Sequence, residues 1–290
     1  MPGQKITYTQ ALNDARNRLT KVIRNRQSAF REAEAILLHA AKITREKLYV
    51  SLRDVMPLAA LKQFVNMTAL RLKNVPLQYI TGTECFYGRE FRVAKGVFIP
   101  RPDTEALIDA VLSIRNNLPG SIAADCGSGS GILSVTMLKE VDNINTVHCF
   151  DPNKKALDLT LANALTYGVS RNVKLHKGDF FGLCGRLHLR FDLLVSNPPY
   201  IRLKALKTLQ KEVLKEPKEA LTDGAQGYSF YKKFADNGGK LLNPGGFVVM
   251  EIGDNMGKRV RKFFNTPEWK FAGAFKDFRE KERVLVFRLV

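Results

Sequence analysis

The sequence predicts an α/β fold, in which a small helical N-terminal region precedes a mostly parallel, doubly wound sheet. Two observations indicate this: helical periodicity dominates the first part, and apolar runs alternate with helical stretches beyond Gly120. Strand–helix alternation at this spacing implies crossover connections, which join parallel strands. With 290 residues, 45% of them apolar, the chain is long enough for two domains with separate cores.

The first part predicts helices. Apolar residues recur every three or four positions in Phe30–Ala41 and again in Leu58–Leu72, and Pro76 ends the second pattern. The Arg-rich start allows two interpretations, a mitochondrial presequence or a folded helix. Because the helical pattern runs without a break from Tyr8 to about Ala41, we expect the folded helix.

The sequence pattern changes between the helical region and the predicted sheet. Tyr79–Gly82 and Phe86–Val93 alternate in polarity and are punctuated by Gly, which predicts a hairpin that joins two domains. Val97–Glu105 follows with two prolines, which cannot continue a strand. Its Asp103 or Thr104 can cap a helix that runs to Ile114.

Seven apolar runs predict the strands of the sheet. The last two are joined by a charged stretch of residues 276–283, which is too short for a helical crossover, so we expect them to pair antiparallel. The runs are Ile122–Cys126, Thr146–Phe150, Val173–His176, Phe191–Val195, Phe247–Glu251, Phe271–Phe275 and Val284–Leu289.

The chain is strongly basic, with 46 Lys and Arg against 28 Asp and Glu and a formal charge of +18. Residues 1–86 carry +8 of this excess, so the charge is spread along the chain. It favours polyanions or acidic protein surfaces as partners, including RNA or a nearby ribosome, and it equally suits a well-solvated surface. The four cysteines form no C-x-x-C pair, which predicts neither a metal site nor a disulfide framework. We expect a reducing, cytoplasmic setting and, without a long apolar run, no membrane partner.

A Gly-rich turn follows the first strand of the sheet: Gly127, Ser128, Gly129, Ser130 and Gly131 come directly after Asp125 and Cys126. Glycines allow positive φ and close approach of the backbone to a ligand, and the start of the next helix favours an anionic group. The spacing is G-x-G-x-G rather than G-x-G-x-x-G. Together with Asp125, it favours a cradle for a methionine carboxylate over one for a pyrophosphate.

Two acidic residues follow the next strands. Asp151 can accept both ribose hydroxyls of a bound nucleoside, although it can also cap a helix. Asp179 beside Phe180 can bind an adenine amino group and pack against its ring, or form a turn with a core anchor.

The fourth strand ends in Asn197-Pro198-Pro199-Tyr200. Ligands bind at this end of the strands in open α/β sheets. The two prolines fix an extended turn, so the carbonyl of Asn197 or Pro198 stays free to accept a hydrogen bond, and the Asn197 side-chain oxygen is a second acceptor. Two acceptors on one planar NH2 group align its nitrogen with a methyl donor and stabilise the charge that develops there. The motif therefore predicts methylation of an amide or adenine amino group, with Tyr200 as a flat apolar face.

With these residues the chain resembles the HemK/PrmC family of release factor glutamine methyltransferases over nearly its whole length. Besides residues 197–200, the resemblance is carried by further segments, among which the one at residues 99–105 is the most particular to the family. They are residues 76–82, 99–105, 125–131, 216–221, 243–246 and 251–253.

The resemblance implies a Rossmann-like, seven-stranded S-adenosylmethionine-dependent methyltransferase domain at residues 101–290. It also implies a helical substrate-recognition domain at residues 1–84, with a hairpin linker at residues 85–100. The implied substrate is the glutamine N5 in the Gly-Gly-Gln motif of class 1 peptide-chain release factors. The implied S-adenosylmethionine site is formed by Gly127–Gly131, Asp151, Asp179, Phe180 and Asn197. Asn197–Tyr200 would bind the glutamine, with Asn197, Pro198 and Tyr200 catalytic.

Three alternatives remain. A nucleic-acid adenine N6 or rRNA methyltransferase is favoured by the charge, but it would need a target-recognition module or an aromatic-rich basic surface, and the sequence indicates neither. An NAD-dependent oxidoreductase would have no use for Asn197–Tyr200. A non-catalytic binding module on a decayed methyltransferase fold would not retain every residue that the chemistry needs.

Overall fold

The computed structural model describes residues 5–290. The chain divides into two compact units, one of residues up to Gly82 together with Gln210–Lys215, and one of Thr83–Leu209 and Glu216–Val290. The domain limits expected from the sequence, 1–84, 85–100 and 101–290, stay a prediction. The hairpin between them belongs to the second unit.

The described part of the first unit contains five α-helices. Thr7 starts the first helix with a capping box, because its side chain accepts from the Gln10 N–H and its own N–H donates to Gln10. The expectation of an uninterrupted helical pattern from Tyr8 to Ala41 was wrong, because Arg24 adopts left-handed φ and Asn25 caps a second helix. The helices are α1 (Tyr8–Ile23), α2 (Arg26–Ala41), α3 (Arg45–Val50), α4 (Leu58–Leu72) and α5 (Leu77–Thr81).

The core of this unit lies between α1, α2 and α4, with Leu19, Ile36 and Leu37 fully buried. One buried cation interrupts it. Arg71 on α4 is 4% exposed and forms ion pairs with Glu32 of α2 and Glu212 of the returning segment. Buried charges require such partners, so Gln210–Lys215 is held to the helices by a salt bridge.

The second unit begins with the hairpin β1 (Thr83–Phe86) and β2 (Arg89–Arg92). Tyr87 and Gly88 both have positive φ, which suits a tight two-residue turn. Tyr79–Gly82 does not take part in it, contrary to expectation. These residues lie mostly in α5, where Pro76 precedes the first turn and Gly82 ends the helix at φ +79°.

Seven strands form a mixed sheet in the order β5-β4-β3-β6-β7-β9-β8. The first five in this order pair parallel. Strand β9 pairs antiparallel with β8, as the short connection predicted, and also antiparallel with β7. The α/β fold with a seven-stranded sheet is therefore confirmed. The strands are β3 (Ile122–Cys126), β4 (Thr146–Asp151), β5 (Val173–Lys177), β6 (Phe191–Ser196), β7 (Leu242–Glu251), β8 (Trp269–Lys276) and β9 (Glu282–Leu289).

Helices cover both faces of the sheet. One core packs residues of α6, α7 and α8 against alternate strand residues such as Val147 and Val195. The other packs α9, α11 and α12 against Phe150, Leu194 and Val248. Cys126 and Cys149 are buried in these cores, as expected for small apolar residues. The α-helices of the second unit, of which α10 belongs to neither core, are α6 (Glu105–Ile114), α7 (Ile132–Glu140), α8 (Lys154–Thr166), α9 (Phe180–Leu187), α10 (Lys218–Leu221), α11 (Ser229–Leu241) and α12 (Gly257–Phe263).

Candidate active site

The candidate site lies where the strand order reverses. From β3 the chain continues outward to β4 and β5, whereas β6 lies on the other side of β3. The Ser196 hydroxyl at the end of β6 donates to the Cys126 carbonyl at the end of β3, at 2.7 Å. Gly127–Gly131 and Asn197–Tyr200 therefore leave the same edge of the sheet from adjacent parallel strands, at the usual position of a ligand crevice.

Three glycines shape the loop after β3. Gly127, Gly129 and Gly131 have φ values of +88°, +56° and +78°, which other residues rarely adopt. A Cβ on Gly127 or Gly129 would meet no protein atom within 4 Å, whereas one on Gly131 would lie 2.8 Å from the Cα of Thr160. The first two glycines thus border open space, and the third is needed for packing against α8.

Backbone and side-chain hydrogen bonds fix the loop. The N–H groups of Gly127 and Ser128 both donate to the Phe150 carbonyl, at 2.8 and 3.0 Å. The Asn163 side chain of α8 donates to the Ser130 carbonyl at 2.8 Å and also exchanges hydrogen bonds with the backbone of Arg92 in β2. These hydrogen bonds set the conformation of the loop that borders the open space.

The two serines of the loop turn inward. The Ser128 hydroxyl lies 3.4 Å from the Thr160 hydroxyl, and Ser130 is 2% exposed. Within residues 5–290, the Ser130 hydroxyl has no hydrogen-bond partner. Any contact of these two residues with a ligand would therefore come from their backbone.

Asp151 ends β4 next to the loop. Its two carboxylate oxygens accept from the N–H groups of Gly129 at 3.0 Å and Asn153 at 2.8 Å. Burial raises the pKa of Asp151, and these two hydrogen bonds oppose the rise. The side chain is only partly buried, so each oxygen can accept a further hydrogen bond from a ligand hydroxyl.

Asp125 lies beneath the loop rather than in the open space. Its carboxyl group is fully buried and accepts from the Ser134 hydroxyl at 2.6 Å, while its second oxygen has no partner among the described residues. Burial raises the pKa of Asp125 to about 7. The sequence singled out this residue as a sign of the cofactor loop, and the structure gives it a supporting position.

Asp179 and Phe180 begin α9. Asp179 is exposed and caps this helix by accepting from the Gly182 N–H at 2.8 Å. The Phe180 ring is 7% exposed and packs edge-on against Phe150 at 5.0 Å. The turn and core anchor considered from the sequence are thus present, and contact of these residues with an adenine stays a prediction.

The corner after β6 presents Asn197 with a defined orientation. Its side-chain nitrogen donates to the Thr104 hydroxyl at 3.2 Å, and Thr104 itself is 1% exposed. No residue in the described part of the chain donates to the Asn197 side-chain oxygen. That oxygen is therefore available as an acceptor, as the amino-group hypothesis requires.

Tyr200 is held at both ends. Its hydroxyl donates to Glu251 Oε1 at 3.0 Å, and its backbone carbonyl lies against Gly227. A Cβ on Gly253 would lie 2.9 Å from Cδ2 of the Tyr200 ring. Burial, and then the charge of Glu251, raise the pKa of the Tyr200 hydroxyl far above its usual range, so this group stays protonated and keeps its proton to donate to Glu251.

Thr104 and Glu251 are the functional candidates that sequence reasoning missed. Both stand in segments that carry the family resemblance, residues 99–105 and 251–253. No role was assigned to Glu251, and Thr104 was considered only as a helix cap, a hydrogen bond that its side chain does not make. Glu251 ends β7, which pairs with β6 beside the corner. Burial raises its pKa to about 7, and interactions with the Thr104 and Tyr200 hydroxyls oppose the rise.

The arrangement fits S-adenosylmethionine. Open space above Gly127 and Gly129, the start of α7 without a side-chain cap and the partly exposed Asp151 match a methionine carboxylate and a ribose. The acceptor on Asn197 stands at the adjacent strand end. An oxygen that accepts from a planar NH2 group can orient its nitrogen for methyl transfer.

Comparisons with known proteins agree with this reading. Family models match at residues 10–82 (PrmC N-terminal domain) and 93–252 (Methyltransferase small domain). A release factor glutamine methyltransferase of Moorella thermoacetica is 35% identical over 256 residues, covering 88% of this chain and 89% of that protein. One of Bacillus subtilis is 34% identical over 288 residues, covering 96% of each.

A solved methyltransferase structure from Pyrococcus furiosus resembles the fold, with a TM-score of 0.51 and 19% identity over 77% of this chain and 98% of that one. Its likeness supports the architecture of the sheet. Across residues 5–290, none of the helices is both long and apolar enough to cross a bilayer.

Proposed function

Because the chain belongs to the release factor glutamine methyltransferase family, we propose that it methylates the side-chain amide nitrogen (N5) of glutamine in class 1 peptide-chain release factors. The target would be the glutamine of the Gly-Gly-Gln motif. The observation that carries the proposal is the orientation of Asn197, whose nitrogen is bound to Thr104 and whose oxygen is left to accept.

Different residues around the open space would bind different parts of S-adenosylmethionine. The backbone of Gly127–Gly131 and the start of α7 would bind the methionine carboxylate, and Asp151 would accept the ribose hydroxyls. Asp179 and Phe180 would contact the adenine. When bound, S-adenosylmethionine supplies an electrophilic methyl group on a sulfonium.

The corner would orient the substrate. The Asn197 side-chain oxygen and the backbone carbonyl of Asn197 or Pro198 accept the two N–H bonds of the glutamine amide, while Pro199 and Tyr200 shape the surface beside it. An amide nitrogen is a weak nucleophile because its lone pair is delocalised. Two acceptors compensate by aligning the nitrogen and stabilising positive charge as it develops. The proton leaves after transfer, when the nitrogen is far more acidic.

The test combines a substrate comparison with one variant. Purified protein, labelled S-adenosylmethionine and a class 1 release factor should give label in the release factor, and bare DNA and RNA should stay unlabelled. Asn197→Ala should fold and bind S-adenosylmethionine but lose transfer, by roughly 10²-fold or more. Asn237→Ala is the matched control and should keep full activity, because this partly exposed asparagine on α11 donates to the Lys233 carbonyl of its own helix.

Two results would contradict the proposal: full activity of Asn197→Ala on a release factor, or label that appears only in nucleic acid. The second would favour the alternative candidate, an adenine or rRNA methyltransferase, which the charge of +18 supports. We further propose that this charge speeds encounter near ribosomes, and that the four free thiols suit a reducing cytoplasm.

A further inference from the structure

A buried carboxylate stands behind the catalytic corner. Glu251 is 1% exposed at the end of β7, and its Oε1 accepts from the Tyr200 hydroxyl at 3.0 Å. Its Oε2 is buried without a hydrogen-bond partner in the part of the chain that the structure describes. Burying an incompletely bonded carboxyl group is costly, so a well-packed apolar residue would serve stability better here.

The same carboxylate lies near the group that orients Asn197. Thr104 interacts with Glu251, and its hydroxyl accepts the Asn197 amide at 3.2 Å. The two polar residues of the corner, Asn197 and Tyr200, are thus supported by Thr104 and Glu251 from elements far apart in sequence. Residues 198 and 199 between them are prolines and cannot supply an N–H to this support.

Charge and packing keep Glu251 in place. Its backbone carbonyl accepts from the Tyr231 hydroxyl at 2.9 Å. Arg283, which is 4% exposed, donates to the Ile252 carbonyl and pairs with Asp254 and Asp277, so a cation stands close to the carboxylate. The group that faces Tyr200 therefore has little freedom to move.

We infer that Glu251 is a positioning residue for methyl transfer: it fixes the Tyr200 hydroxyl and, with Thr104, keeps the acceptors of the corner aimed at the substrate NH2 group. This inference rests on the proposed function for its substrate. Because Glu251 is 1% exposed and lies behind Tyr200, it would act through Tyr200 and Thr104 rather than by contact with substrate or cofactor. Because a displacement of about 1 Å at a reacting centre can cost roughly 10²-fold in rate, loss of this support should lower kcat.

The test separates positioning from folding by a series of variants. In single-turnover and steady-state assays, Glu251→Ala should lower kcat by roughly 10- to 100-fold while the Kd for S-adenosylmethionine stays within about threefold. Glu251→Gln should retain kcat within about threefold, because its amide oxygen can still accept from Tyr200. Thr104→Val should behave like Glu251→Ala, and Thr104→Ser like the wild type.

A matched control removes another buried carboxylate. Asp192 is 4% exposed at the opposite end of β6, where it accepts from Ile122 and Asn243. Asp192→Ala should lower the Tm and leave kcat of the folded protein unchanged. The inference is overturned if Glu251→Ala keeps wild-type kcat, if Asp192→Ala loses as much kcat, or if Glu251→Gln is as impaired as Glu251→Ala.

A second measurement does not depend on the substrate. The side-chain ¹⁵N–¹H₂ signals of Asn197, identified by their loss in Asn197→Ala, should keep their positions in Glu251→Gln and shift or broaden in Glu251→Ala and Thr104→Val. Unchanged signals in Glu251→Ala would overturn the inference. If the wild type fails to methylate a release factor, the proposed function fails, and these signals still decide the role of Glu251.

Discussion

Gly129 offers a direct way to test whether the open space after β3 binds the cofactor. A Cβ there would meet no protein atom within 4 Å, so Gly129→Ala leaves the packing intact. Its φ of +56° costs an alanine roughly 1–2 kcal/mol, and the reduced freedom of the unfolded chain returns about 0.4–1 kcal/mol. We therefore expect a loss of about 1 kcal/mol in the free energy of unfolding.

Gly131 is the matched position with a different outcome. Its φ is similarly positive, but a Cβ would lie 2.8 Å from the Cα of Thr160, which cannot move aside without shifting α8. Overpacking of this kind adds about 1–3 kcal/mol. Gly131→Ala should thus lose about 3 kcal/mol in total. For a unit of this size, that is a Tm lower by about 6–12 °C, against about 2–4 °C for Gly129→Ala.

Measurements on Gly129→Ala and Gly131→Ala should distinguish an effect on S-adenosylmethionine binding from an effect on stability. The added methyl group of Gly129→Ala enters space that we assign to S-adenosylmethionine, so calorimetric titration should show a Kd raised at least about tenfold, or 1.4 kcal/mol. Thermal unfolding of both variants without ligand provides the stability values. If Gly129→Ala folds with the small Tm change and binds S-adenosylmethionine with wild-type Kd, the cofactor does not occupy the space above this loop.

Three further predictions concern pH, the hairpin and salt. The pKa of Glu251 is about 7 in the folded chain and about 4.5 in the unfolded chain. The free energy of unfolding of the wild type should therefore fall as pH rises between these values. Glu251→Gln, which cannot titrate, should gain up to about 3 kcal/mol relative to wild type from pH 4.5 to 8 in denaturant titrations, and a constant difference would contradict the raised pKa. Asn163→Ala should lower the free energy of unfolding by about 3 kcal/mol, because the backbone groups of Ser130 and Arg92 lose their hydrogen-bond partners. It should also weaken S-adenosylmethionine binding. A loss of stability below about 1 kcal/mol would refute this role of Asn163. If the basic surface speeds encounter, kcat/KM for a release factor should fall severalfold from about 50 to 200 mM NaCl while kcat holds, and a flat kcat/KM would exclude steering.

The sheet was predictable because its signals are local. Strand β3 was found at its observed limits, Ile122–Cys126, since a short apolar run bounded by Gly marks a buried parallel strand. Strand β7 was predicted from Phe247 but begins at Leu242. Residues 243–246 contain Pro and Gly, which are rare inside strands, and they lie where the pairing with the neighbouring β6 shifts register between Phe191 and Leu193.

The candidate site was predictable only in part, for a physical reason. The Gly-rich loop and Asn197–Tyr200 are continuous segments whose residue types carry their own conformational preferences. Their supports are not local: Thr104 is 93 positions from Asn197, and Glu251 is 51 positions from Tyr200. Only the fold brings these residues together. Likewise, no local signal could decide whether Phe180 faces a ligand or the core, where the structure places its ring.

The ion pairs of Arg71 affect how this protein can be cut or recombined. The helical unit is discontinuous, since Gln210–Lys215 belongs to it and supplies Glu212 to Arg71. Removal of the residues up to Gly82 would leave Gln210–Lys215 without the helices that it packs with, and Glu212 without Arg71. An exchange of the helical unit with a relative would therefore have to replace two stretches of chain at once, and a chimaera joined at a single point would bury an arginine lacking one of its two carboxylates.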